Sequence, residues 1–453
     1  MKRFDAIFIG GGQAGPFLAA RMAALGKTVA LIERKYLGGT CVNAGCMPTK
    51  TLVASARAAH VARRASDFGV VLNGPVDVDM KVVRARAAKV TADARQGLAT
   101  WLGGLPTLSL IYGQARFTDA HTVSVNGERL TAPQIFLNVG ARPSIPDFPG
   151  LEDVPYLTST TIIELDVVPE HLIVIGGSYI GLEFAQMYRR FGSQVTVIER
   201  GPAVASREDE DLSQAIAEIL TGEGISIRTN VGELKFSPDG AAIMISANGE
   251  EITGSHVLLA LGRTPNTDDL GVEAAGIDLD KRGFIKVDDR LSTNVDGIFA
   301  LGDCNGRGAF THTSYNDFEI VAANLLDGGD RKVSARIPAY ALYIDPPLGR
   351  VGMTEKQARE SGRSILVSTR PMSRVGRAVE RDETKGFMKI IADAQTREIL
   401  GAAILGIEGD EAIHGVIDAM NAGTPYDVLQ WSVPIHPTVS ELLPTLIGEL
   451  KPA

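Results

Sequence analysis

Two of the chain's three cysteines, Cys41 and Cys46, stand with four residues between them in the run Gly38-Gly39-Thr40-Cys41-Val42-Asn43-Ala44-Gly45-Cys46-Met47-Pro48-Thr49-Lys50. A thiol attacks only as its thiolate, and a helix N-terminus or a nearby cation lowers its pKa enough to populate that form. Both influences are expected here. Pro48 suits the first turn of a helix starting near Cys46, which sets that sulfur at the positive end of the dipole, and Lys50 adds a cation one turn on. The preceding glycines are expected to give a flexible approach. The pair therefore reads as a redox-active dithiol. A structural disulfide and half of a zinc site are the competing readings. The first is uncommon in a reducing cytosol; the second wants three or four close ligands where only Cys304 remains, so no metal site is expected.

A dithiol needs an electron donor, and the elements around it supply a place for one. The apolar strand Ile7-Phe8-Ile9 runs into Gly10-Gly11-Gly12-Gln13-Ala14-Gly15, then a helical stretch, then Val29-Ala30-Leu31-Ile32 ending in Glu33. That is a βαβ dinucleotide unit: glycines for the tight turn and close backbone approach, a helix N-terminus for the pyrophosphate, and an acid for the ribose hydroxyls. The pattern returns at Ile173-Val174-Ile175-Gly176-Gly177-Ser178-Tyr179-Ile180-Gly181, closing with Val195-Thr196-Val197-Ile198-Glu199. Gly10 and Gly176, Gly15 and Gly181, and Glu33 and Glu199 are each 166 positions apart. Two fingerprints in register imply two dinucleotides. Ser178 departs from the pattern at the middle glycine, so the second pyrophosphate either sits further out or is bonded by the hydroxyl.

Length and composition agree with this chemistry. At 453 residues, with 45% hydrophobic and 22% charged residues and 49 glycines, the chain suits a multidomain α/β enzyme. Its net charge of −9 gives no electrostatic case for nucleic acid or an anionic membrane. The N-terminus leads straight into the first strand, no stretch reaches the length of a membrane span, and three cysteines suit a reducing compartment, so a cytoplasmic location is expected. Two strand-then-turn segments, Asn138-Val139-Gly140-Ala141-Arg142-Pro143 and Ala260-Leu261-Gly262-Arg263-Thr264-Pro265-Asn266, read either as domain crossings or as unrelated surface turns. The strand ending in Asp303 offers an acid for a ligand hydroxyl or a helix cap. Beyond about Ala335, Tyr340–Ile344 and Met388–Ala392 read as strands of a separate α+β domain, followed by helices up to Leu429.

With the Gly-Gly-Thr-Cys-x-Asn-x-Gly-Cys-x-Pro-x-Lys signature and the two fingerprints in place, the chain resembles the pyridine nucleotide-disulfide oxidoreductases over essentially its whole length. These are the flavoenzymes that include lipoamide dehydrogenase, glutathione reductase and mercuric reductase. The resemblance implies two Rossmann-like domains, for FAD and NAD(P), plus a C-terminal α+β dimerisation domain. The divisions expected are 1–148 and 265–335 for FAD, 149–264 for NAD(P), and 336–453 for the interface. It implies FAD contacts from Gly10, Gly12, Gly15, Glu33, Thr40, Lys50, Gly140, Asp303 and Thr311. NAD(P) contacts would come from Gly176, Ser178, Tyr179, Gly181, Glu199, Arg200 and Gly262. Electrons would pass from NAD(P)H through FAD to the Cys41–Cys46 disulfide, with Cys46 against the flavin and Cys41 meeting the acceptor. Lys50 would pair with Glu183, Tyr179 would cover the nicotinamide pocket, and a helix starting near Thr313 would aim its N-terminus at the flavin.

In Ile435-His436-Pro437-Thr438-Val439-Ser440-Glu441 the resemblance implies an acid-base pair. Taken alone, a histidine among prolines reads as structural; within the family it serves the partner subunit's disulfide, so a homodimer is expected. Glu199 favours NADH by bonding free ribose hydroxyls and repelling a 2′-phosphate, although Arg200 and Arg207 stand near enough to receive one.

The acceptor, a small molecule or metal ion, is not named by the sequence. The helix after the thiols, Ala56–Arg64, is similar to that of mercuric reductases, but no further cysteine pair is present to deliver a soft metal. The segments Phe310–Asp317 and Pro346–Glu355 resemble those of the reactive-chlorine-resistance flavoproteins, and His312 stands where many relatives have proline. Lipoamide dehydrogenase or glutathione reductase is the alternative activity, and a FAD-binding redox sensor or scaffold the alternative of another class.

Overall fold

The computed structural model describes all 453 residues. The strands Ala6–Ile9 and Val29–Glu33 are buried along their whole length. Strands covered on both faces require such continuous apolar runs, and these lie in a parallel sheet. Its five strands run in the order Ile298–Ala300, Gln134–Leu137, Ala6–Ile9, Val29–Glu33, Leu108–Tyr112. Phe8, Phe136 and Phe299 stack across three neighbouring strands, with ring centroids 4.5 and 5.2 Å apart. The second unit repeats the design with Leu157–Thr158, His256–Leu259, His171–Ile175, Gln194–Ile198 and Ser226–Arg228, again all parallel.

Each unit also carries an antiparallel meander of three short strands, at Arg116–Thr131 and Leu234–Gly254, which the sequence reading did not anticipate. Strands such as Arg116–Asp119 hold one buried residue among polar ones, so the apolar-run signal is missing. The two strand-then-turn crossings meet each other: Ala141–Pro143 pairs antiparallel with Arg263–Pro265.

The C-terminal part is a six-stranded antiparallel sheet covered by helices. Its strand order is Ala339–Leu342, Leu348–Gly352, Ile399–Leu405, Phe387–Asp393, Ile365–Pro371, Lys451–Pro452. A cluster of 29 buried apolar residues joins this sheet (Leu342, Leu348, Leu405) to the second nucleotide unit (Leu172, Phe184) and to the helix after the thiols (Leu52, Ala56). Charges cross the same junction. Arg190, only 5% exposed, lies 2.7 Å from Glu223 and 2.5 Å from Asp345, and Asp345 also takes Arg57 at 2.6 Å. Such charges are tolerated inside because each is paired and hydrogen-bonded.

Candidate active site

The turn after each first strand is shaped by its glycines. Gly10 and Gly176 have φ of 100° and 111°, and a Cβ would stand 2.3 Å from the Asn138 carbonyl oxygen in one and 2.5 Å from that of Ala260 in the other. Gly15 and Gly181 let the helix close on the strand, since a Cβ there would meet the carbonyl of Gly10 at 2.7 Å or of Gly176 at 2.0 Å. The acids repeat as faithfully. Glu33 accepts from the backbone N–H of Gly11 and of Lys35, both at 2.8 Å; Glu199 accepts from Gly177 at 2.7 Å and Gly201 at 2.6 Å. Each carboxylate is thereby fixed at its strand end with lone pairs to spare for a ribose diol. Ser178 is exposed at the helix N-cap and makes no capping bond, which leaves its hydroxyl free for a ligand.

The thiols sit beside these cradles. The approach expected to be flexible is instead a short helix, Gly39–Ala44, carrying Cys41; Gly38, left-handed at φ 93°, admits the chain to it. Cys46 opens the helix Cys46–Arg63, and both thiols are free. Cys46 is open to the cavity yet walled by protein, with Thr311 Oγ1 3.1 Å from its sulfur. A hydrogen bond from Cys41, then Thr311 and the Lys50 charge, outweigh burial and lower the Cys46 thiol to about 6. The same contact and burial push Cys41 far up, so it keeps its proton. Lys50 Nζ stands 2.7 Å from Glu183 and 4.4 Å from the centre of the Tyr343 ring, while Glu183 also accepts from the Tyr343 backbone N–H at 2.9 Å. Lys50→Met should slow alkylation of Cys46 by iodoacetamide about threefold at pH 6.5, because the thiolate fraction falls when the cation is lost. An unchanged rate would show that Lys50 does not tune the thiol.

The helix expected from near Thr313 begins at Thr311, so Thr311 itself lies in the first turn and reaches Cys46. A single cavity of about 2060 Å³ is lined by Gly10, Gly12 and Glu33 of the first cradle, Ser178 and Tyr179 of the second, Cys41, Cys46, Lys50 and Thr311, whereas Gly15, Gly176 and Gly181 lie behind its wall. Thr40, Gly140, Asp303, Glu183 and Gly262 also line it. Ordinary ligand pockets reach roughly 1,000 Å³, so this one has room for large ligands. Burial raises the Asp303 carboxyl, and Arg263 Nε lies 3.5 Å from it without a hydrogen-bond partner. Unspent polar groups of this kind, together with the two cradles, fit a flavin dinucleotide in the first unit and a pyridine dinucleotide in the second.

Glu199 and Arg200 lie outside the cavity wall, whereas Arg207 is part of it. His436 and Glu441 also lie outside it. They bond each other at 2.9 Å, with the His436 side chain 81% exposed. Near them Trp431, Val433 and Ile435 are 80%, 96% and 79% exposed.

Comparison with known families identifies the kind of protein that carries this arrangement. The family model described as pyridine nucleotide-disulphide oxidoreductase matches residues 4–317, and that family's dimerisation domain matches 338–447. The chain belongs to this family. Accordingly it is an oxidoreductase that uses FAD and a pyridine nucleotide, and it carries the family's dimerisation domain. Similar proteins include the probable pyridine nucleotide-disulfide oxidoreductase RclA of Escherichia coli, 38% identical over all of both chains. The mercuric reductase of Bacillus cereus is 33% identical over 97% of this chain and 70% of its own. Among solved structures, the Cu(II) complex of the HOCl-induced flavoprotein disulfide reductase RclA of E. coli is 36% identical, covers 99% of each chain and superposes with a TM-score of 0.91. No helix is long and apolar enough to cross a membrane.

Several residues of this oxidoreductase escaped the sequence reading. Asn138 joins the first cradle to the returning chain: its Oδ1 accepts from Gly15 at 3.0 Å and its Nδ2 donates to the Leu301 carbonyl at 2.9 Å. Arg263 donates to Thr40 at 3.1 Å and faces Asp303. Its place in the Ala260–Asn266 crossing was the available signal.

Proposed function

We propose that this chain takes electrons from NADH at the second cradle and delivers them through Cys46 and Cys41 to a thiol-reactive metal ion or oxidant. The observation that carries this reading is the place of Cys46, at a helix N-terminus beside Thr311 and Lys50, contacts that lower its thiol, on the wall of a cavity that both glycine turns reach. The flavin, when bound, supplies two-electron exchange between nicotinamide and sulfur. Gly10, Gly12, Gly15, Glu33, Thr40, Lys50, Gly140, Asp303 and Thr311 would hold it, and Gly176, Ser178, Tyr179, Gly181, Glu199, Arg200 and Gly262 the nicotinamide nucleotide. Cys46 holds negative charge, Cys41 keeps a proton and meets the acceptor, and Lys50 with Glu183 keeps the cation in place. We divide the chain at 1–148, 149–264, 265–335 and 336–453. The exposed apolar segment at Trp431–Ile435 supports a homodimer in which His436, oriented by Glu441, serves the other subunit. A cytoplasmic location, where NADH is available, follows from this role.

Copper(II) is the first acceptor to test, because the Cu(II) complex of a similar protein superposes along the whole chain. Steady-state assays with Cu(II), Hg(II), hypochlorite-derived oxidants, lipoamide and glutathione disulfide should give fastest turnover with Cu(II). Faster turnover with either disulfide moves the chain to the lipoamide dehydrogenase or glutathione reductase reading, which the His436–Glu441 pair favours. Negligible turnover with every acceptor supports a redox sensor.

For the nucleotide, Glu199 is fixed like Glu33 and bars a 2′-phosphate. The kcat/KM for NADH should exceed that for NADPH at least about tenfold, and Glu199→Ala should erase most of the difference. Preference for NADPH would instead assign the 2′-phosphate to Arg200 or Arg207.

A further inference from the structure

Tyr343 lies between two core residues, Leu342 and Ile344, which are 0% and 2% exposed, while its own ring lines the redox cavity. The backbone here is pinned to one helix, Tyr179–Phe191. Glu183 of that helix accepts the Tyr343 N–H at 2.9 Å. Gln186 accepts the Asp345 N–H at 2.7 Å and donates to the Asp345 carbonyl at 2.8 Å. Arg190 of the same helix takes the Asp345 carboxylate at 2.5 Å. The Tyr343 ring and the Glu183 carboxylate therefore belong to one rigid frame, although 160 positions separate them in the chain.

Lys50 reaches into this frame from the thiol helix. Its ammonium is held by Glu183 at 2.7 Å and stands over the face of the Tyr343 ring, 4.4 Å from the ring centre. Lysine carries a point charge on a flexible four-carbon stem, and this side chain is 33% exposed, so a single ion pair leaves the ammonium room to move within the cavity. A cation at this distance over an aromatic face is attracted by the ring quadrupole, more strongly where water is excluded. We propose that Tyr343 is a positioning residue of the redox centre: its ring, together with Glu183, cages the Lys50 ammonium and so fixes the place of that charge relative to the Cys46 sulfur. This inference rests on Lys50 being the cation that tunes Cys46.

The charges around the cage suit this role. Burial first, then Asp410, Glu183, Cys46 and Glu411, push the Tyr343 phenol up, so the ring stays neutral and keeps its π face for the cation. Asp410 and Glu411, on the short helix Gly409–Ala412, bring further negative charge to the same ring, so an ammonium that the ring did not hold would have other carboxylates to follow. Around the sulfur, Cys41 and Thr311 bond Cys46 directly, and Arg263 is a second cation near its charge. Arg263 is held by Thr40 and the Ala141 carbonyl, so its placement does not involve Tyr343. Only the Lys50 contribution depends on the ring, and loss of the ring should move Cys46 by no more than loss of Lys50 itself.

The test uses the flavin-loaded protein in its two-electron-reduced state. Two quantities are read: the pH midpoint of the long-wavelength band that a thiolate gives against oxidised flavin, and the rate at which iodoacetamide alkylates Cys46. Tyr343→Leu removes the ring but keeps the backbone N–H that fixes Glu183. Its midpoint should rise by about half a pH unit, and alkylation at pH 5.5 should slow about two- to threefold, because the thiolate is lost as its cation drifts. Tyr343→Met, which fills similar space without a π face, should behave like Tyr343→Leu, and Tyr343→Phe should keep the wild-type midpoint. Lys50→Met should raise the midpoint at least as far, and adding Tyr343→Leu to it should change nothing more. A wild-type midpoint in both Tyr343→Leu and Tyr343→Met overturns the cage, as does an equal shift in Tyr343→Phe or a shift that persists in the Lys50→Met protein. If Lys50→Met itself leaves the midpoint in place, the reading of Lys50 fails and the cage fails with it. A shift for Lys50→Met with flat Tyr343 variants overturns the cage alone.

Discussion

Cys46→Ser should leave the flavin bound but cut turnover with the acceptor at least about a thousandfold, because it removes the sulfur that passes electrons from the flavin to Cys41. Serine is nearly isosteric, and the Cys46 side chain opens a helix without filling the core, so folding should be intact. The check is steady-state acceptor reduction, alongside the long-wavelength absorbance that a thiolate gives against an oxidised flavin. Wild type should show that band on anaerobic titration with NADH, and the variant should not. Retention of more than about a tenth of wild-type turnover would mean that electrons bypass the pair. The band should also depend on pH in a definite direction. The Cys46 thiol is lowered from 9.0 to about 6, so its thiolate is held above that pH and lost as pH falls through it. The amplitude should reach half near pH 6. A midpoint close to 9 would show that Cys41, Thr311 and Lys50 do not act on the sulfur as their positions imply.

His436→Gln should have the second large effect. Cys41 is pushed the opposite way from Cys46, so its proton must be taken and returned by another group during exchange with a disulfide. Glutamine keeps the size of histidine but cannot carry a proton. Disulfide reduction should fall by about a hundred- to ten-thousandfold, and metal reduction much less. Equal losses for both acceptors would count against the proton-carrier role. His436 lies outside the cavity of its own chain, so the proton-carrier role proposed for it requires a second one. Co-expressing Cys46→Ser and His436→Gln chains therefore gives a sharper result than either alone. Random pairing makes half the dimers mixed, and each mixed dimer has one intact site of two, so about a quarter of wild-type disulfide reductase activity should return from two inactive parents. Activity that stays at the level of the parents would show that the site does not span two subunits.

What the sequence made legible followed from how directly a residue constrains the local backbone. Gly10, Gly15, Gly176 and Gly181 stand where a Cβ cannot, so their spacing exposed both cradles, and Glu33 and Glu199 marked the strand ends. The thiol segment was readable because Pro48 and Lys50 sit within one turn of Cys46. The Lys50–Glu183 pair, 133 positions apart, was reached through the family resemblance and is present at 2.7 Å. Contacts without a local signature stayed hidden. Glu208 lies in a loop whose charges look solvated, yet its side chain is fully buried because Arg350, 142 positions on, meets it from another sheet. The meander strands escaped for the related reason that they are short and mixed in polarity. The short helix at Gly39–Ala44 escaped because glycine-rich sequence argues against helix, and here a left-handed Gly38 and packing override that preference.

The Arg57–Asp345–Arg190–Glu223 chain of charges bears on how this enzyme moves. Prising the nucleotide platform, the thiol helix and the C-terminal sheet apart would break the Arg57–Asp345 and Arg190–Asp345 pairs, whose charges would regain water, and would expose the common apolar cluster, which sets most of the cost. Packing thereby fixes the spacing between the two glycine turns and the Cys46 sulfur, and leaves side chains and bound ligands as the parts that move at least cost.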